Sequence, residues 1–207
     1  GTTWTNMIGG TATIPNVTST TGRIWMDRNL GASQVATSST DTASYGDLYQ
    51  WGRGADGHQT RTSSTTSTLS SADQPADGDF ISASVSPKDW RSPQNGNLWQ
   101  GVNGVNNPCP SGYRIPTEAE WATELSSWST SDSYGAFASP LKLTVAGNRS
   151  SSNGGNYQAG SQGFYWSSSL SSASSSNKSR LFQISGFSAG FNNIDRAMGS
   201  SCRCIKD

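Results

Sequence analysis

The sequence predicts a mixed α+β fold, in which one strongly signalled helix is set among short strands and long loops. A capping box and an apolar stripe mark the helix after Pro116, and short runs of alternating apolar residues mark strands near both ends of the chain. The intervening stretches are rich in Ser, Thr, Gly and Asn. At 207 residues the chain is long enough to bury a core. No stretch has the composition of a linker, so we interpret residues 1–207 as a single domain.

The composition indicates a folded protein without an electrostatic attraction to nucleic acid. The chain carries 14 basic and 14 acidic residues, so its formal net charge is zero, whereas a nucleic-acid-binding surface needs a basic excess. Its 8 Trp, 6 Tyr and 6 Phe separate it from disordered chains, which are poor in aromatic residues. A polar but weakly charged composition is typical of loop-rich extracellular domains. We therefore expect no nucleic-acid partner and favour an extracellular or cell-surface location.

No segment has the character of a membrane span or a leader. No apolar run approaches the ~18–20 residues that a membrane-spanning helix needs. The chain opens GTTWTNMIGG, without the basic and then apolar segments of a secretory signal. We expect that this chain inserts into no membrane.

The clearest element is the helix that begins after Thr117. Thr117 is a favourable N-cap, and Glu120, three residues on, completes a capping box of the form Thr-x-x-Glu. Trp121, Leu125 and Trp128 follow at i, i+4 and i+7, which places them on one apolar stripe. This stripe predicts the face by which the helix packs on the core.

Short strands are predicted on both sides of this helix. In GRIWMDRNLG, Ile24 and Met26 lie on one face of a strand and Trp25 on the other. FYWSSS, SRLFQIS and SSCRCIKD predict three further strands towards the C-terminus. A second, shorter helix is predicted over residues 45–51, where several apolar side chains could share a face.

Two long irregular stretches differ in composition. Residues 59–79 hold few apolar side chains and are predicted to form a surface loop. Residues 90–114 are turn-rich, but Trp90, Trp99, Val102 and Val105 recur along them. Loops longer than ~12–15 residues are usually functional or disordered. The recurring apolar side chains favour an ordered, packed loop for the second stretch.

The sequence lacks the residue patterns of common enzyme classes. Its only histidine, His58, lies in the turn-like segment ADGHQT and is interpreted as a solvated loop residue or a local stabiliser of that loop. Glu118, Glu120 and Glu124 lie on the predicted helix, where early glutamates favour the positive end of the helix dipole. No Walker loop, no strand-following GxGxxG and no HExxH motif is present. We predict no catalytic residues and no enzymatic activity.

The sequence specifies no metal site. Asp-Gly or Asn-Gly pairs begin at Asp56, Asp77, Asn95 and Asn153, and such pairs form turns. A structural Ca²⁺ ion in these loops would suit the preference of calcium for oxygen ligands, but no spacing specifies one. We predict no cofactor and no metal ligands.

The three cysteines, Cys109, Cys202 and Cys204, allow one disulfide and one free thiol. Cys202 and Cys204 are two positions apart and would share one face of a strand, so either could reach Cys109. With no CxxC pair and one His, a structural zinc site is not expected.

Several motifs together resemble a known family. GRIWMDRNLGA, YGDLYQWGR, NPCPSGYRIPTEAEW, FYWSSS and the terminal RCIKD resemble, in this order, the Fibrobacter succinogenes major paralogous domain and cover most of residues 22–207. That family is similar to the C-type lectin-like fold and to its formylglycine-generating enzyme branch, where the RxPTEAEW segment also occurs. The resemblance implies an α+β domain with short twisted antiparallel sheets, two helices and long ordered loops. It also implies that RIPTEAEW serves the scaffold.

Domains of this kind also serve as variable proteins of diversity-generating retroelements, in which a reverse transcriptase mutates adenines in the C-terminal coding repeat. The resemblance implies a variable region over about residues 164–207 whose diversified side chains bind ligands. The framework positions that match the family tail are Tyr165, Trp166, Ser167, Ser168, Phe182, Ile184, Arg196, Gly199, Arg203 and Cys204. Ser179 replaces an Ala of the pattern, and Cys202 stands where the pattern has Val. The implied disulfide is Cys109–Cys204, with Cys202 in a small apolar site.

Period-two alternation then assigns the remaining tail side chains to the outside. Leu181, Gln183 and Ser185 alternate with Phe182 and Ile184 and are expected to face outwards, and the residues after Phe187 are expected to form a loop that returns to Arg196. The expected ligand-binding residues are Ser169, Ser171, Arg180, Leu181, Gln183, Ser185, Phe187, Ser188, Phe191, Asn192, Asn193, Ile194, Asp195 and Ser200. The alternative for Phe187 and Phe191 is that they pack into a small satellite core beneath the loop.

The hypothesis is therefore a non-enzymatic protein that displays a diversified surface and binds an unknown protein or glycan. One alternative is an oxidase of the formylglycine-generating type, which relies on a pair of active-site cysteines and for which Cys202 and Cys204 are the available pair. Another is a structural cell-surface adhesin module.

Overall fold

The computed structural model describes residues 2–5, 11–14, 16–172 and 177–207. Over these ranges the chain forms two α-helices, one short 3-10 helix and fifteen short strands, which is the predicted α+β class in a sheet-rich form. The helices are α1 Glu118–Ser126 and α2 Ser133–Ala138, and the 3-10 helix is Thr42–Ser44. The strands are β1 Thr2–Thr5, β2 Thr11–Ile14, β3 Asn16–Thr18, β4 Ile24–Met26, β5 Tyr49–Gln50, β6 Thr65–Thr66, β7 Phe80–Ile81, β8 Tyr113–Arg114, β9 Asn148–Arg149, β10 Asn156–Tyr157, β11 Gln162–Leu170, β12 Lys178–Ser185, β13 Ala189–Asp195, β14 Gly199–Ser200 and β15 Ile205–Lys206.

The described strands form several small sheets. Two four-stranded sheets have the orders β3-β4-β15-β8 and β10-β9-β14-β5, and the longest strands form the three-stranded sheet β11-β12-β13. These pairs are antiparallel, as is the pair β1–β2, whereas β6 and β7 run parallel. Because β14 and β15 each join a sheet whose other strands come from distant parts of the chain, the C-terminal segment ties those parts together.

Helix α1 begins as the sequence predicts. The Thr117 side chain accepts a hydrogen bond from the backbone N–H of Glu120, and the Glu120 carboxylate accepts one from the N–H of Thr117 at 2.8 Å. Arg114 adds two charge-assisted hydrogen bonds to Glu120, at 2.7 and 2.8 Å. Burial by itself would raise the pKa of Glu120, but the hydrogen bonds from Arg114 and Thr117 outweigh it and hold the pKa at about 2. The predicted capping box is therefore confirmed and is reinforced by an arginine.

The apolar stripe of α1 packs where it was expected. Trp121 is fully buried, and Leu125 and Trp128 pack against the same cluster as partly buried side chains. The Trp121 indole donates to the backbone oxygen of Trp166 at 3.1 Å. This hydrogen bond satisfies the one polar atom of a deeply buried ring.

The helix predicted over residues 45–51 is wrong. The chain there forms β5 after the 3-10 turn, and its backbone bonds to distant segments: the N–H of Asp47 donates to Leu30 and that of Leu48 to Gln59. Gly46 has φ +69°, and a Cβ at this position would collide with the carbonyl oxygen of Leu30. The left-handed conformation at Gly46 breaks any helix in this segment. The second helix is α2, which the sequence analysis did not assign.

Two hydrophobic cores lie on opposite faces of the sheet β11-β12-β13. The first core contains Met26, Leu30, Tyr49, Trp51, Ile81, Trp90, Leu98, Trp99, Tyr113, Ile115, Phe164, Trp166, Leu181, Met198, Cys202 and Cys204. The second core contains Trp25, Trp121, Ala136, Leu141, Leu143, Val145, Tyr165, Phe182, Ile184 and Ile205. Successive residues of a strand point to opposite faces, and Tyr165 and Trp166 accordingly enter different cores. The sheet is thus covered on both sides along much of its length.

The two long irregular stretches are ordered by different means. Most residues between 59 and 79 are exposed, as predicted for a surface loop, and β6 lies within them. In residues 90–114, Trp90 and Trp99 are fully buried and their indoles donate to backbone oxygens of Trp51 and Arg53. The prediction of a packed loop is confirmed for the two tryptophans. It is wrong for Val105, which is 51% exposed.

The predicted last strand is divided into β14 and β15. The residues between them are buried, including Arg203, whose guanidinium donates to the backbone oxygens of Leu141 and Met26 and to the side chain of Asn29. Burial lowers the pKa of Arg203 to about 10. A cation buried among oxygen acceptors in this way ties two distant segments, residues 26–29 and the segment at Leu141, to the C-terminal part of the chain.

Candidate ligand-binding surface

The hairpin β12–β13 carries most of the residues that the sequence analysis assigned to a binding surface. Ser185 and Ser188 close a tight turn, because the N–H of Ser185 donates to the carbonyl oxygen of Ser188 at 2.8 Å. Gly186 and Phe187 form the tip of this turn, and the Phe187 side chain is 98% exposed. Residues 189–195 form a regular strand paired with β12 along its whole length. The expectation of an irregular loop returning to Arg196 is therefore wrong.

Strand β13 escapes sequence detection because its alternation is weak. Gly190, Asn192 and Asn193 interrupt any apolar pattern, and Asn and Gly are depleted in strands. Segment 189–195 forms a strand because it pairs with the edge of β12, which has a strong strand pattern of its own. Pairing with a strong neighbour overrides a weak local propensity.

The two tail phenylalanines have opposite environments. Phe191 packs against the second core, with its ring centroid 5.1 Å from that of Phe182. Phe187 has no such contact and is almost fully exposed. The alternative, in which the tail phenylalanines pack into the core, is therefore correct for Phe191. Phe187 instead exposes its ring at the surface.

An ionic group lies beside Phe191 on the second-core face of the sheet. Arg180 makes two hydrogen bonds to Glu118 at the start of α1, at 2.5 and 2.8 Å, and a third to Asn193 at 2.8 Å. Its guanidinium also lies 5.9 Å from the centre of the Phe191 ring. The hydrogen bonds that Arg180 donates to Glu118 raise the pKa of Arg180. Arg180 and Asn193 are thereby held in fixed positions at the surface.

The opposite face of the hairpin carries a row of side-chain amides. Gln183 donates to the Oε1 of Gln162 at 2.5 Å, and Asn192 donates to the Oε1 of Gln183 at 2.8 Å. The three residues belong to β11, β12 and β13, so the row crosses the sheet. We call Gln162, Gln183 and Asn192 the amide row. Gln162 was missed by the sequence analysis because the pairing of β11 with β12 is a tertiary property.

A shallow depression lies at the other end of the hairpin. It has a volume of about 190 Å³ and is lined by Ser86, Pro87, Lys88, Asn177, Lys178 and Asp195. The Asp195 carboxylate lies 3.4 Å from the Nζ of Lys178 and 3.9 Å from that of Lys88. Asp195 therefore forms ion pairs with both lysines.

Some expected binding residues are not at the surface. Leu181 points away from Phe182 as predicted, but it is fully buried because the first core covers that face of β12. Ser171 and Ser200 are also buried. Ser200 lies in β14, which has a strand paired on each side. Ile194 is half-buried against the first core. The outward positions expected for these four residues are corrected accordingly.

The other expected residues are exposed to different degrees. Ser169 is half-buried, and its hydroxyl accepts a hydrogen bond from the N–H of Glu118 at 3.0 Å. Half-buried residues of the hairpin are Arg180, Gln183, Ser185, Phe191 and Asp195. Exposed ones are Phe187, Ser188, Asn192 and Asn193. Residues 173–176, within the expected variable region, lie outside the described residues.

The structure pairs Cys109 with Cys204, with Cα atoms 5.9 Å apart, which is the pairing implied by the resemblance. Cys202 is a buried thiol in the first core, and burial raises its pKa well above the usual value. The thiol pair that the formylglycine-generating alternative invoked at Cys202 and Cys204 is therefore not present as two thiols. Within the described ranges, no group of three or more His, Cys, Asp or Glu residues could hold a metal ion.

His58 is buried and stabilises its own loop. Its Nδ1 hydrogen-bonds to Asp56 at 2.5 Å, and its Nε2 accepts from the N–H of Gln50 at 3.0 Å. Burial lowers the pKa of His58 to about 4 against the opposing effect of Asp56. The interpretation as a local stabiliser is confirmed and that of a solvated residue is wrong. Both ring nitrogens are occupied, so neither is available to a reacting group in this arrangement.

Comparison of the chain with protein-family models, with curated proteins and with solved structures gave no match. Across the residues that the structure describes, no helix has both the length and the apolar character to cross a membrane.

Proposed function

We propose that this chain is a non-enzymatic ligand-binding protein with a C-type lectin-like fold, of the kind used as variable proteins of diversity-generating retroelements. Its ligand, a protein or a glycan, is bound by the outward side chains of the hairpin β12–β13. The observation that carries the proposal is the contrast within this hairpin between the fully buried framework side chains of β12 and the exposed side chains of the turn and of β13.

The framework side of this contrast is strongly constrained. Phe182 and Ile184 are fully buried in the second core and Leu181 in the first. Tyr165, on the adjacent strand, donates from its hydroxyl to the backbone oxygen of Thr144 at 2.8 Å. A residue buried on this scale contributes several kcal/mol to stability, so the hairpin backbone keeps its position when exposed side chains change.

The exposed side of the contrast has the composition of an adaptable binding surface. Phe187 offers a large apolar area with few rotatable bonds, while Ser188, Asn192 and Asn193 offer hydrogen-bonding groups. Antibody binding loops combine the same two classes of side chain. Substitution at such exposed positions usually changes stability by within ~0.5 kcal/mol. The surface can therefore vary without loss of the fold.

The proposal is tested with two matched libraries of the whole chain displayed on cells. One randomises the exposed positions Phe187, Ser188, Asn192 and Asn193, and the other randomises the buried positions Leu181, Phe182 and Ile184 together with Tyr165. We expect most members of the first library, and few of the second, to remain protease-resistant. Selection of the first library against unrelated immobilised proteins and glycans should yield binders. Equal loss of folding in the two libraries would contradict the proposal.

The retroelement part of the proposal has its own test. The source locus should contain a near-identical repeat of the coding sequence for about residues 164–207, next to a reverse transcriptase gene, with differences confined to adenines. If the locus has no such repeat, the proposed diversification is wrong. Ligand binding is then tested by the libraries alone.

A further inference from the structure

We propose that the amide row binds an uncharged carbohydrate chain, with Phe187 as a stacking surface at its end. This inference rests on the proposed function and narrows its ligand to one chemical class. It also adds Gln162, which lies before the expected variable region, to the binding residues.

The first argument is the geometry of the amide row. The hydrogen bonds of 2.5 Å between Gln162 and Gln183, and 2.8 Å between Gln183 and Asn192, hold three planar amides side by side across three strands. Each amide has two N–H donors and a carbonyl acceptor, and each bond in the row uses one N–H of its donor. Gln183 and Asn192 therefore retain a second N–H, and Asn192 retains its carbonyl oxygen at an exposed position.

These remaining groups match the hydroxyl groups of a sugar. Neighbouring hydroxyls on a sugar ring present a donor and an acceptor close together, and a carboxamide presents the complementary pair in one plane. The mutual hydrogen bonds already fix the glutamine and asparagine rotamers. Ordering a rotamer-rich side chain on binding costs free energy, and the amide row is already ordered before the ligand binds.

The second argument is the position of Phe187. The strand rises about 3.3 Å per residue, so Ser185, where β12 ends, lies about 7 Å along the hairpin from Gln183, and the turn that carries Phe187 begins there. A short oligosaccharide can span this distance. The face of an aromatic ring carries partial negative charge and attracts positively polarised edges, such as the C–H groups on one side of a sugar ring. A ring that is 98% exposed has its face available for this contact.

The third argument is that the residues from the amide row to the turn carry no charge. Gln162, Gln183 and Asn192 are amides, and the serines that close the turn, Ser185 and Ser188, carry hydroxyl groups. Arg180 of the hairpin lies on the opposite face of the sheet, beside Phe191, and is paired with Glu118. An anionic or cationic ligand would gain no charge pairing on the amide face, whereas a neutral polyhydroxylated chain would leave no charge unpaired.

The test measures binding of the purified chain to an array of immobilised oligosaccharides, in which neutral hexose and N-acetylhexosamine chains are printed beside sulfated and uronic-acid chains. We expect binding to at least one neutral chain, and competition by the same chain in solution. Gln162→Ala, Gln183→Glu and Phe187→Ala should each weaken that binding about tenfold, as expected for the loss of about 1.4 kcal/mol. Gln183→Glu keeps the size of the side chain and replaces one amide of the row.

Tyr134→Ser is the matched control, because Tyr134 is a 72% exposed aromatic residue on α2, which packs on the opposite side of the sheet. It should leave binding unchanged, and each variant should keep the melting temperature of the parent. No binding to any neutral chain would overturn the carbohydrate inference. Binding only to charged chains or to a protein, lost on Phe187→Ala, would overturn it and leave the proposed function standing. Binding indifferent to every exposed hairpin residue would overturn both.

Discussion

Phe182 and Phe191 lie opposite each other across β12 and β13, with ring centroids 5.1 Å apart, and Phe182 also stacks on Trp121 at 5.2 Å. This aromatic series fixes the edge strand β13 to helix α1 through the second core. Phe187, four residues before Phe191, takes no part in it. The chain therefore uses one tail phenylalanine to hold the hairpin and presents the other at the surface.

The first prediction separates these two roles by stability. Phe191→Ala should lower the free energy of unfolding by about 1–3 kcal/mol, less than the ~3–5 kcal/mol lost with a fully buried aromatic, because Phe191 is only partly buried. Phe187→Ala should change it by within ~0.5 kcal/mol, and Phe182→Ala should be the most damaging. Urea denaturation of the three variants gives the comparison. Similar losses for Phe187→Ala and Phe191→Ala would show that the tip is part of the core.

The second prediction concerns Asp47. Burial raises the pKa of Asp47 to about 6, against the opposing effect of Arg61, from an ordinary value of 3.8. The folded state therefore holds this proton more tightly than the unfolded state. The resulting stabilisation is complete below about pH 4 and is lost as the pH rises through 6. Asp47→Asn removes the charge with little change of shape and should be about 1–3 kcal/mol more stable than the parent at pH 7.5.

The advantage of Asp47→Asn should shrink as the pH falls towards 4. Urea denaturation of both proteins at several pH values measures this difference and cancels the contributions of other groups. A constant difference across the range would mean that the carboxyl titrates as it does in the unfolded chain.

The third prediction concerns Glu120, whose pKa is depressed rather than raised. Its charged form is stabilised by Arg114 and Thr117, so its contribution is present above the ordinary pKa of 4.5 and is lost as the pH falls to about 2. Glu120→Gln should destabilise the protein by about 1–3 kcal/mol at pH 7, and the two proteins should converge near pH 2. Glu118→Gln is the matched control: it removes a more exposed ion pair with Arg180 and should cost about 0–1 kcal/mol. Equal costs for the two would argue against a special role of the capping box.

The fourth prediction concerns the three cysteines. In the native, unreduced protein a thiol reagent should label none of them, because Cys202 is buried and the other two are bonded to each other. Denaturation without reductant should expose one reactive thiol, and peptide mapping should place it at Cys202. Cys109→Ser should destabilise the protein by about 2–5 kcal/mol, whereas Cys202→Val should be nearly neutral because it exchanges one small apolar side chain for another. Labelling at Cys109 or Cys204 would contradict the assigned disulfide.

The elements with strong local signals were predictable. The capping box at Thr117 and the stripe through Trp121 are encoded in neighbouring residues, and the alternation in β4 sends Trp25 and Met26 into different cores. Helix α2 and strand β13 were not predicted because their local sequence patterns are weak. Strand β13 exists because β12 offers it a partner along its full length.

The candidate site was likewise predicted in part: its local pattern was readable from the sequence, and its long-range contacts were not. The sequence placed Leu181 and Gln183 on one face and Phe182 on the other, which is the face assignment of the structure. It could not tell that the first core covers this face completely at Leu181 and only partly at Gln183. It also could not bring Gln162 beside Gln183, because the register of β11 on β12 depends on contacts between residues about twenty positions apart.

By itself the sequence determined the α+β content, the helix cap, the alternation of the tail strand and the presence of an odd cysteine. These follow from short-range rules of backbone geometry and residue chemistry. Only the tertiary structure decided that Cys204 is the partner of Cys109, that Phe191 is core and Phe187 surface, and that three amides form one row. Burial and register are set by which distant segments pack together, and no local pattern contains that information.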